Sequence, residues 1–242
     1  NFSFIMLNIN CDLGEGLNNE HLIMPLINSC NIASGGHAGN TESMIECIEI
    51  SIKCNVEIGA HPSYPDKLNF GRKKINISKS DLSQSIKNQI QSLEDIASSY
   101  GKKLNHIKAH GALYNEMISD QDLADLYLDT LKDFKSKYSL YVPYKSKIEE
   151  LALKRGFDII YEVFGDRNYN DDLSLVSRQK ENALINDPEE VINHLTQIIK
   201  TNTIKTISAD SREIIFDTIC IHSDTNNSIE ILKEINRVFK NK

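Results

Sequence analysis

The chain has 242 residues, of which 40% are hydrophobic and 25% are charged, a composition typical of a folded globular protein rather than a disordered or fibrous one. Its length suits one large α/β domain or two small domains. No apolar run approaches the roughly 18–20 residues that a membrane span requires, and the net charge of −7 disfavours a protein that binds nucleic acid. We therefore expect neither a membrane nor a nucleic acid among its partners.

The five cysteines are odd in number and none is spaced as a C-x-x-C pair, so the sequence predicts neither a zinc ribbon nor a disulfide scaffold. The first residues lack the charged start and the small-residue cleavage site of a signal peptide. Reduced cysteines without a signal peptide favour a cytoplasmic protein. The patterned sequence is expected to begin at about Met6.

Short apolar runs of strand length alternate with longer segments of helical periodicity. Buried strands are predicted at residues 5–10, 31–33, 56–60, 105–109, 140–143, 157–164 and 218–222. Helices are predicted at residues 41–53, 78–100, 120–134, 146–155, 187–200 and 227–239, several of them with clear capping residues. The alternating segment 203–216 is expected to form a β-hairpin before the last strand.

Strands that alternate with single helices run parallel, because each crossover returns the chain to the same edge of the sheet. No linker or change in composition divides the chain. We therefore predict a single α/β domain over residues 1–242, a (β/α) barrel with seven mostly parallel strands. A doubly wound open sheet is the alternative.

Polar and titratable residues recur where six of the seven predicted strands end. Because parallel α/β folds bind their ligands at the carboxyl ends of the strands, we expect the functional site there. The candidates at or near these ends are Asn10, Asp12, Glu15, His37, His61, Lys108, His110, Tyr114, Asn115, Arg167, Arg178 and His222.

Most of these candidates also have a purely structural explanation. A histidine at a strand end often serves as a hydrogen-bonded structural residue, Asp12 could be a turn residue, and Glu15 could cap a helix. Arg167 and Arg178 could be ordinary surface arginines. Lys108 is harder to explain in this way, because it lies within an apolar strand and a buried ammonium without a partner is costly. We expect it to face Asp12, Glu15 or a substrate anion.

The remaining histidines divide into two groups. Strand alternation places His106 on the same side of the fourth strand as Lys108 and His110. His21 and His194 lie on helical patterns and are expected to be solvated.

The glycine-rich segments match no standard nucleotide-binding motif. The sequence contains no P-loop, no dinucleotide fingerprint and no G-x-S-x-G nucleophile elbow. Asp12, His37 and His61 together would suit a metal ion by residue type, but spacing alone does not show that they converge.

Six motifs resemble, in order, the signatures of the LamB/YcsF family: NCDLGEG, NIASGGHAG, IGAHPSYPD, KAHGALYN, EVFGDRNY and DTICIHSD. They cover essentially the whole chain. The resemblance implies a seven-stranded β/α barrel like that of polysaccharide deacetylases. It also implies the role of the A subunit of a bacterial 5-oxoprolinase, which works with subunits B and C and opens the lactam ring of 5-oxoproline (pyroglutamate) to L-glutamate, coupled to hydrolysis of ATP to ADP and phosphate.

The sequence departs from the family pattern at four positions near the motifs. Ala109 replaces a proline, Gly36 a phenylalanine, Asn40 an aspartate and Ser223 a glycine. The titratable candidates are all retained. The catalytic candidates are Asp12, Glu15, His37, His61, Lys108 and His110, and the substrate-binding candidates are Asn10, Tyr114, Asn115, Arg178 and His222.

The mechanistic hypothesis follows from the stability of a lactam. Phosphorylation of the amide oxygen by ATP, with Mg²⁺, would make the ring carbon electrophilic. Lys108 and Arg178 would hold the substrate carboxylate or the developing phosphate charge. Asp12 or Glu15, with one of the histidines, would activate water and pass a proton to the ring nitrogen.

Two alternative functions remain open at this point. One is a metal-dependent deacetylase or amidohydrolase that uses Asp12, His37 and His61 around a divalent ion. The other is a non-catalytic subunit that binds the substrate for its partners.

Overall fold

Seven parallel strands close into a barrel in the computed structural model, which describes residues 7–240. In chain order the strands are β1 (Asn8–Leu13), β2 (Ser29–Ala33), β3 (Glu57–His61), β4 (His106–Ile107), β5 (Ser139–Pro143), β6 (Ile159–Phe164), β7 (Thr203–Lys205), β8 (Ser211–Glu213) and β9 (Thr218–Cys220). The barrel order is β1-β2-β3-β4-β5-β6-β9, and β9 pairs with β1 to close it. β7 and β8 form a separate antiparallel hairpin. The predicted barrel and hairpin are both confirmed.

Helices connect successive strands of the barrel. They are α1 (Glu20–Ile23), α2 (Thr41–Cys54), α3 (Lys79–Ser99), α4 (Gly111–Glu116), α5 (Gln121–Thr130), α6 (Lys147–Lys154), α7 (Pro188–Thr201) and α8 (Ser228–Ile235). Shorter turns of 3₁₀-helix occur at Met24–Leu26, Lys132–Phe134 and Glu181–Ala183, and a π-helical turn at Asn236–Lys240 follows α8. No helix in the described part of the chain is long and apolar enough to cross a membrane.

Capping side chains set several helix starts at the predicted positions. Ser146 and Glu149 form a reciprocal capping box at the start of α6, in which each side chain bonds the other's main-chain N–H. Asp187 accepts hydrogen bonds from the main-chain N–H groups of Glu189 and Glu190 at the start of α7. These local bonds satisfy N–H groups that a helix start otherwise leaves without partners.

The first strand differs most from its prediction. Predicted at residues 5–10, it runs to Leu13, while residues 5 and 6 lie outside the described residues. The prediction stopped early because Asn10 and Asp12 resemble the start of a loop. Both side chains instead point into the barrel, where each accepts a hydrogen bond from Asn31. Asp12 is therefore a strand residue, and the turn explanation for it is wrong.

Smaller differences occur elsewhere in the chain. The regular part of β4 is only two residues long, and the short helices α1 and α4 have too few turns for a periodic signal. His194 on α7 is not fully solvated as expected, because the residue is half-buried and its Nε2 is shielded from solvent. His21 is exposed as predicted.

A polar hydrogen-bonded network fills the barrel below its carboxyl end. The His106 ring stacks on Tyr141 with centroids 4.0 Å apart, and its Nε2 donates to Asn31 Oδ1 at 2.6 Å. The Tyr141 hydroxyl lies 3.1 Å from Ser29 Oγ. Burial, with nearby Lys108, lowers the pKa of His106 to about 3, so this ring is neutral. His106 is a structural residue that supports the layer above it.

The outward faces of the strands bury apolar side chains against the helices. Ile9, Ile58 and Ile219 have no more than 1% of their surface exposed, and Ile48 and Ile90 on α2 and α3 belong to the same core. Burial of each such side chain contributes about 1.5–3 kcal/mol to the free energy of folding. The apolar core thus surrounds the strands, while polar groups occupy the inside.

Gly59 of β3 tests how tightly the interior is packed. A Cβ at Gly59 would lie 2.2 Å from His106 Nε2, and stacking on Tyr141 keeps the His106 ring in place. We expect Gly59→Ala to lower the free energy of unfolding by about 3 kcal/mol in urea titrations. Gly101→Ala is the control, because its Cβ would meet open space and only its positive φ costs about 1 kcal/mol. Equal losses in the two variants would contradict this packing.

Candidate active site at the carboxyl end of the barrel

The carboxyl ends of the strands open into a cavity of about 690 Å³. We call its buried base the floor, formed by Asp12, Glu15, His61, Lys108 and His110, and its outer edge the mouth, formed by Arg72, Arg178 and Asp224. Tyr114, Phe164, Arg167 and His222 line the walls. A cavity of this size and polarity suits a small polar molecule.

Lys108 occupies the centre of the floor. Its Nζ lies 2.9 Å from Asp12 Oδ1 and 2.9 Å from Glu162 Oε1, with Cys220 Sγ at 3.1 Å. Burial alone would lower the pKa of Lys108, but Asp12, Cys220 and Glu162 hold it well above its ordinary value. Lys108 therefore stays charged and meets the anion that the sequence predicted for it, together with a second one.

Asp12 links Lys108 to the histidines. Its Oδ1 accepts hydrogen bonds from Lys108 Nζ at 2.9 Å and from Asn31 Nδ2 at 2.7 Å. Its Oδ2 lies 3.3 Å from His61 Nε2. Burial alone would raise the pKa of Asp12, but His61 and Lys108 hold it well below its ordinary value. Asp12 is therefore an ionised carboxylate with one oxygen directed at His61.

His61 and His110 each use one ring nitrogen to bind a main-chain carbonyl. His61 Nδ1 lies 2.8 Å from the carbonyl oxygen of Lys108, and His110 Nε2 lies 2.9 Å from that of Phe70. Because a carbonyl oxygen only accepts, these two nitrogens carry the protons. The other two ring nitrogens, His61 Nε2 and His110 Nδ1, lie 3.0 Å apart. Burial, with neighbouring His37 and His61, holds the pKa of His110 well below its ordinary value.

Glu15 is brought to the same floor by the turn that follows β1. Gly14 and Gly16 flank it with φ of +73° and +88°, a region that favours glycine. Glu15 Oε1 lies 2.8 Å from His37 Nε2 and 3.4 Å from His110 Nδ1. His37 is buried and stacks face to face on His110, with centroids 3.6 Å apart. Glu15 is thus a carboxylate of the site rather than a helix cap.

The mouth carries the opposite charge to the floor. Asp224 Oδ2 lies 2.5 Å from Arg72 Nη2, and Arg178 makes two bonds to the same carboxylate at 3.1 and 3.2 Å. Arg178, His222 and Arg72 hold the pKa of Asp224 below its ordinary value in spite of its burial, which would raise it. Two guanidinium groups share one carboxylate, so the mouth has a surplus positive charge. Arg178 thus lines the cavity and is held there by an ion pair.

His222 is anchored in the wall by Asp166. Its Nδ1 and its main-chain N–H both lie 3.0 Å from oxygens of the fully buried Asp166 carboxylate, which also accepts from Thr225 Oγ1 at 2.5 Å. Burial alone would raise the pKa of Asp166, but His222 and Thr225 lower it to about 2. This pair fixes the orientation of the His222 ring, which is the usual role of a carboxylate behind a histidine.

The remaining candidates take different places. Asn10 lies below the cavity inside the barrel, where its Nδ2 donates to Thr218 at 3.0 Å. Tyr114 is buried in the wall, where burial and nearby Glu162 hold its pKa well above its ordinary value. Asn115 is exposed at the outer edge of the cavity. Arg167 is buried and donates to the carbonyl oxygens of Val176 and Ala183, so it is not a surface arginine.

Sequence reasoning missed several residues that shape the site. Glu162, Asp166 and Asp224 lie within the EVFGDRNY and DTICIHSD motifs but were not chosen. Glu162 could have been predicted from the sequence, because an acidic residue within a second apolar strand is the expected partner of Lys108. Arg72 had no such signal, since it lies in a loop 152 residues from its partner Asp224.

The sequence suggested Asp12, His37 and His61 as metal ligands, but only two of these residues lie in one compact group. The ligand atoms of Glu15, His37, His61 and His110 lie within 4.8 Å of one another. Asp12 adjoins this group through His61. Glu15 and His110 thus share the floor with the histidines selected from the sequence.

Fold and site together define a β/α-barrel protein with its titratable groups at the carboxyl ends of parallel strands. The model of the LamB/YcsF family matches residues 7–242, and the chain belongs to that family. The chain is 34% identical over 240 residues to the 5-oxoprolinase A subunit of Bacillus cereus, a match that covers 97% of this chain and 95% of that protein. It is 35% identical over 241 residues to the 5-oxoprolinase A subunit of Pyrococcus abyssi, with 97% and 94% covered.

A solved relative has the same architecture. The lactam utilization protein from Thermus thermophilus superposes with a TM-score of 0.87 at 27% sequence identity, and the match covers 96% of each chain. The barrel described above is therefore the fold of this family.

Removal of the Lys108 charge should destabilise the protein through the carboxylates that it leaves behind. We expect Lys108→Met to lower the free energy of unfolding by about 3–5 kcal/mol, because Asp12 and Glu162 would then be buried without their cation. A second change, Glu162→Gln, should restore part of this loss, since it removes one of the two charges. Urea titrations of the single and double variants measure both effects. A double variant less stable than Lys108→Met would contradict the ion-pair account.

The Asp166 carboxylate should give a stability contribution that depends on pH. Its pKa of about 2 lies below the unfolded value of about 3.9, so its contribution is complete above pH 4 and disappears as the pH falls towards 2. We expect Asp166→Asn to lower the free energy of unfolding by about 2–3 kcal/mol at pH 7 and by less at pH 3. The exposed Asp133→Asn is the control. A loss that is the same at both pH values would rule out this linkage.

Proposed function

We propose that this chain acts as the A subunit of an ATP-dependent 5-oxoprolinase, which opens the lactam ring of 5-oxoproline to give L-glutamate. The observation that carries the proposal is the division of charge in the cavity, with surplus positive charge at the mouth and carboxylates beside histidines at the floor. The names of the two curated relatives support the same assignment.

The substrate fits this division of charge. 5-Oxoproline has one carboxylate and, on the other side of a five-membered ring, a neutral amide. In the proposed complex the carboxylate binds at the mouth, where Arg178 offers a planar pair of donors. The lactam then faces the floor, close to Lys108 and the histidines. In the proposed complex Tyr114, which lines the wall, donates to the substrate from that side.

The floor provides the acid–base groups that lactam opening requires. Water adds to the ring carbon and the ring C–N bond breaks, so one group must take a proton from water and another must give one to the ring nitrogen. In the proposal Glu15, Asp12, His61 and His110 are the candidates for the first task. Lys108 remains charged and keeps Asp12 in position, and it contributes positive charge near the developing oxyanion.

ATP hydrolysis accounts for the driving force in this proposal. An amide is a poor electrophile, and phosphorylation of its oxygen by ATP makes the ring carbon more electrophilic. Addition of one water and cleavage of the ring C–N bond then give an acyl phosphate, which a second water hydrolyses to glutamate and phosphate. The sequence has no P-loop. We therefore place the nucleotide site, with Mg²⁺, in the assembly with subunits B and C rather than in this cavity alone.

Asp12→Asn tests the catalytic part of the proposal. This change keeps the size of the side chain but removes the charge that faces His61 and Lys108. In the assembly with subunits B and C we expect glutamate release from 5-oxoproline to fall by a factor of about 10²–10⁴. Asp133→Asn, on the exposed surface, should leave the rate unchanged. A folded Asp12→Asn variant with a near-normal rate would remove Asp12 from the mechanism.

Arg178→Ala tests the placement of the substrate carboxylate. Loss of a contact made equally in the bound substrate and in the transition state raises KM and leaves kcat nearly unchanged. We expect KM for 5-oxoproline to rise at least about tenfold, because charge-assisted contacts contribute about 1.5–3 kcal/mol. Arg237→Ala, which alters a surface arginine on the far C-terminal turn, is the control. An unchanged KM would move the carboxylate away from the mouth.

A further inference from the structure

The floor places four acceptor atoms side by side. Asp12 Oδ2 lies 3.3 Å from His61 Nε2, which lies 3.0 Å from His110 Nδ1, which lies 3.4 Å from Glu15 Oε1. The main-chain bonds of the two histidines use the opposite ring nitrogens, so His61 Nε2 and His110 Nδ1 are the nitrogens that face the two carboxylates. Both nitrogens are metal ligands when their rings are neutral, and a cation between the four atoms would bind all of them.

We propose that these four atoms bind one divalent transition-metal ion of the zinc type, with His61 Nε2 and His110 Nδ1 as nitrogen ligands and Glu15 Oε1 and Asp12 Oδ2 as carboxylate ligands. The role of this ion in catalysis rests on the proposed function, since an ion here would supply the group that activates water. The binding site itself is inferred only from the positions of the side chains.

Successive atoms of the four are spaced as neighbouring ligands of one ion are, and ligand atoms of Glu15, His61 and His110 all lie within 4.8 Å of one another. Zinc binds nitrogen and oxygen ligands at about 2.0–2.2 Å, so adjacent ligand atoms lie about 3.0–3.5 Å apart in tetrahedral or octahedral geometry. All three separations between successive atoms fall in this range. Two imidazole ligands favour zinc, iron, cobalt or nickel over Mg²⁺ and Ca²⁺, which prefer oxygen alone.

The groups behind the ligands hold them in orientation. His61 and His110 each donate the other ring N–H to a main-chain carbonyl, the usual arrangement of metal-bound histidines. Asp12 is held by Lys108 and Asn31 through its second oxygen.

His37 anchors Glu15 and does not bind the ion itself. Its ring is parallel to that of His110 within 1°, with centroids 3.6 Å apart. A lone pair directed in the plane of one stacked ring does not reach a point in the plane of the other. Its Nε2 instead lies 2.8 Å from the Glu15 carboxylate.

The charge of the floor also calls for a cation. The carboxylates of Asp12, Glu15 and Glu162 are almost completely buried there, and the ammonium of Lys108 is the cation that contacts two of them. This leaves two formal negative charges in a region from which water is largely excluded. A divalent cation balances them, whereas a second buried lysine or arginine is not present among the residues that form the floor.

The experiment is metal binding by the full chain after removal of metal with a chelator. Co²⁺ is titrated as a spectroscopic probe, and bound Zn²⁺ is counted by elemental analysis after dialysis. We expect one ion per chain. The d–d bands of bound cobalt should lie at about 500–650 nm, as is typical of nitrogen and oxygen ligands. His61→Ala and His110→Ala should each lower the affinity by at least about 100-fold. His21→Ala, an exposed histidine on α1, should bind as the unaltered chain does.

Two further variants make the test decisive. Glu15→Gln keeps the size of the side chain and should also weaken cobalt binding, which covers the case in which an alanine variant fails to fold. Asp12, Cys220 and His222 form a second group that could hold a metal ion. His222→Ala removes one ligand of that second group and should leave the cobalt spectrum unchanged. Binding that is lost in His222→Ala but kept in His110→Ala would overturn the proposed ligand set, as would a chain that binds no stoichiometric ion. Because no substrate is present, a failure of lactam hydrolysis would not alter this result.

Discussion

The ammonium of Lys108 is buried at the centre of the barrel's carboxyl end, and two carboxylates from different strands hold it there. A buried charge of this kind is stable only with its partners, so Asp12 and Glu162 must keep their positions. Asp12 is held through one oxygen, and this leaves its other oxygen directed at His61. The orientation of the floor therefore depends on the Lys108 ion pairs.

The polar network below the floor extends this constraint into the barrel. Asn31 bonds Asn10, Asp12 and His106 at once, and His106 stacks on Tyr141. Because His106 is neutral and fully buried, it supports the floor without adding charge to it. The cavity above is correspondingly polarised, with carboxylates at the floor and guanidinium groups at the mouth. In the proposed complex this difference would direct the carboxylate of 5-oxoproline to the mouth and its amide to the floor.

Periodicity in the sequence predicted the barrel but not the limits of its strands. The alternation of seven apolar runs with helical segments was sufficient for strand number, direction and closure, and the spacing of Ser146 and Glu149 was sufficient for the start of α6. The end of β1 was missed because a barrel interior admits polar side chains such as Asn10 and Asp12, which in an open sheet would mark a loop. The place of the site followed from the same topology, since carboxyl ends of parallel strands meet at one end. The contacts across the site could not be predicted from the topology. Loops distant in sequence supply the contact between Arg72 and Asp224 and the main-chain carbonyl bonds of two histidines.

The central claim, that this chain contributes lactam hydrolysis to a larger assembly, is tested most directly by measuring glutamate released from 5-oxoproline and ATP. The chain is assayed alone, with subunits B and C, and in a mixture of B and C from which it is omitted. The account predicts glutamate formation, matched by ADP formation, only in the complete mixture. Glutamate formed at the same rate when this chain is omitted, or none formed in a verified complete assembly, would contradict it.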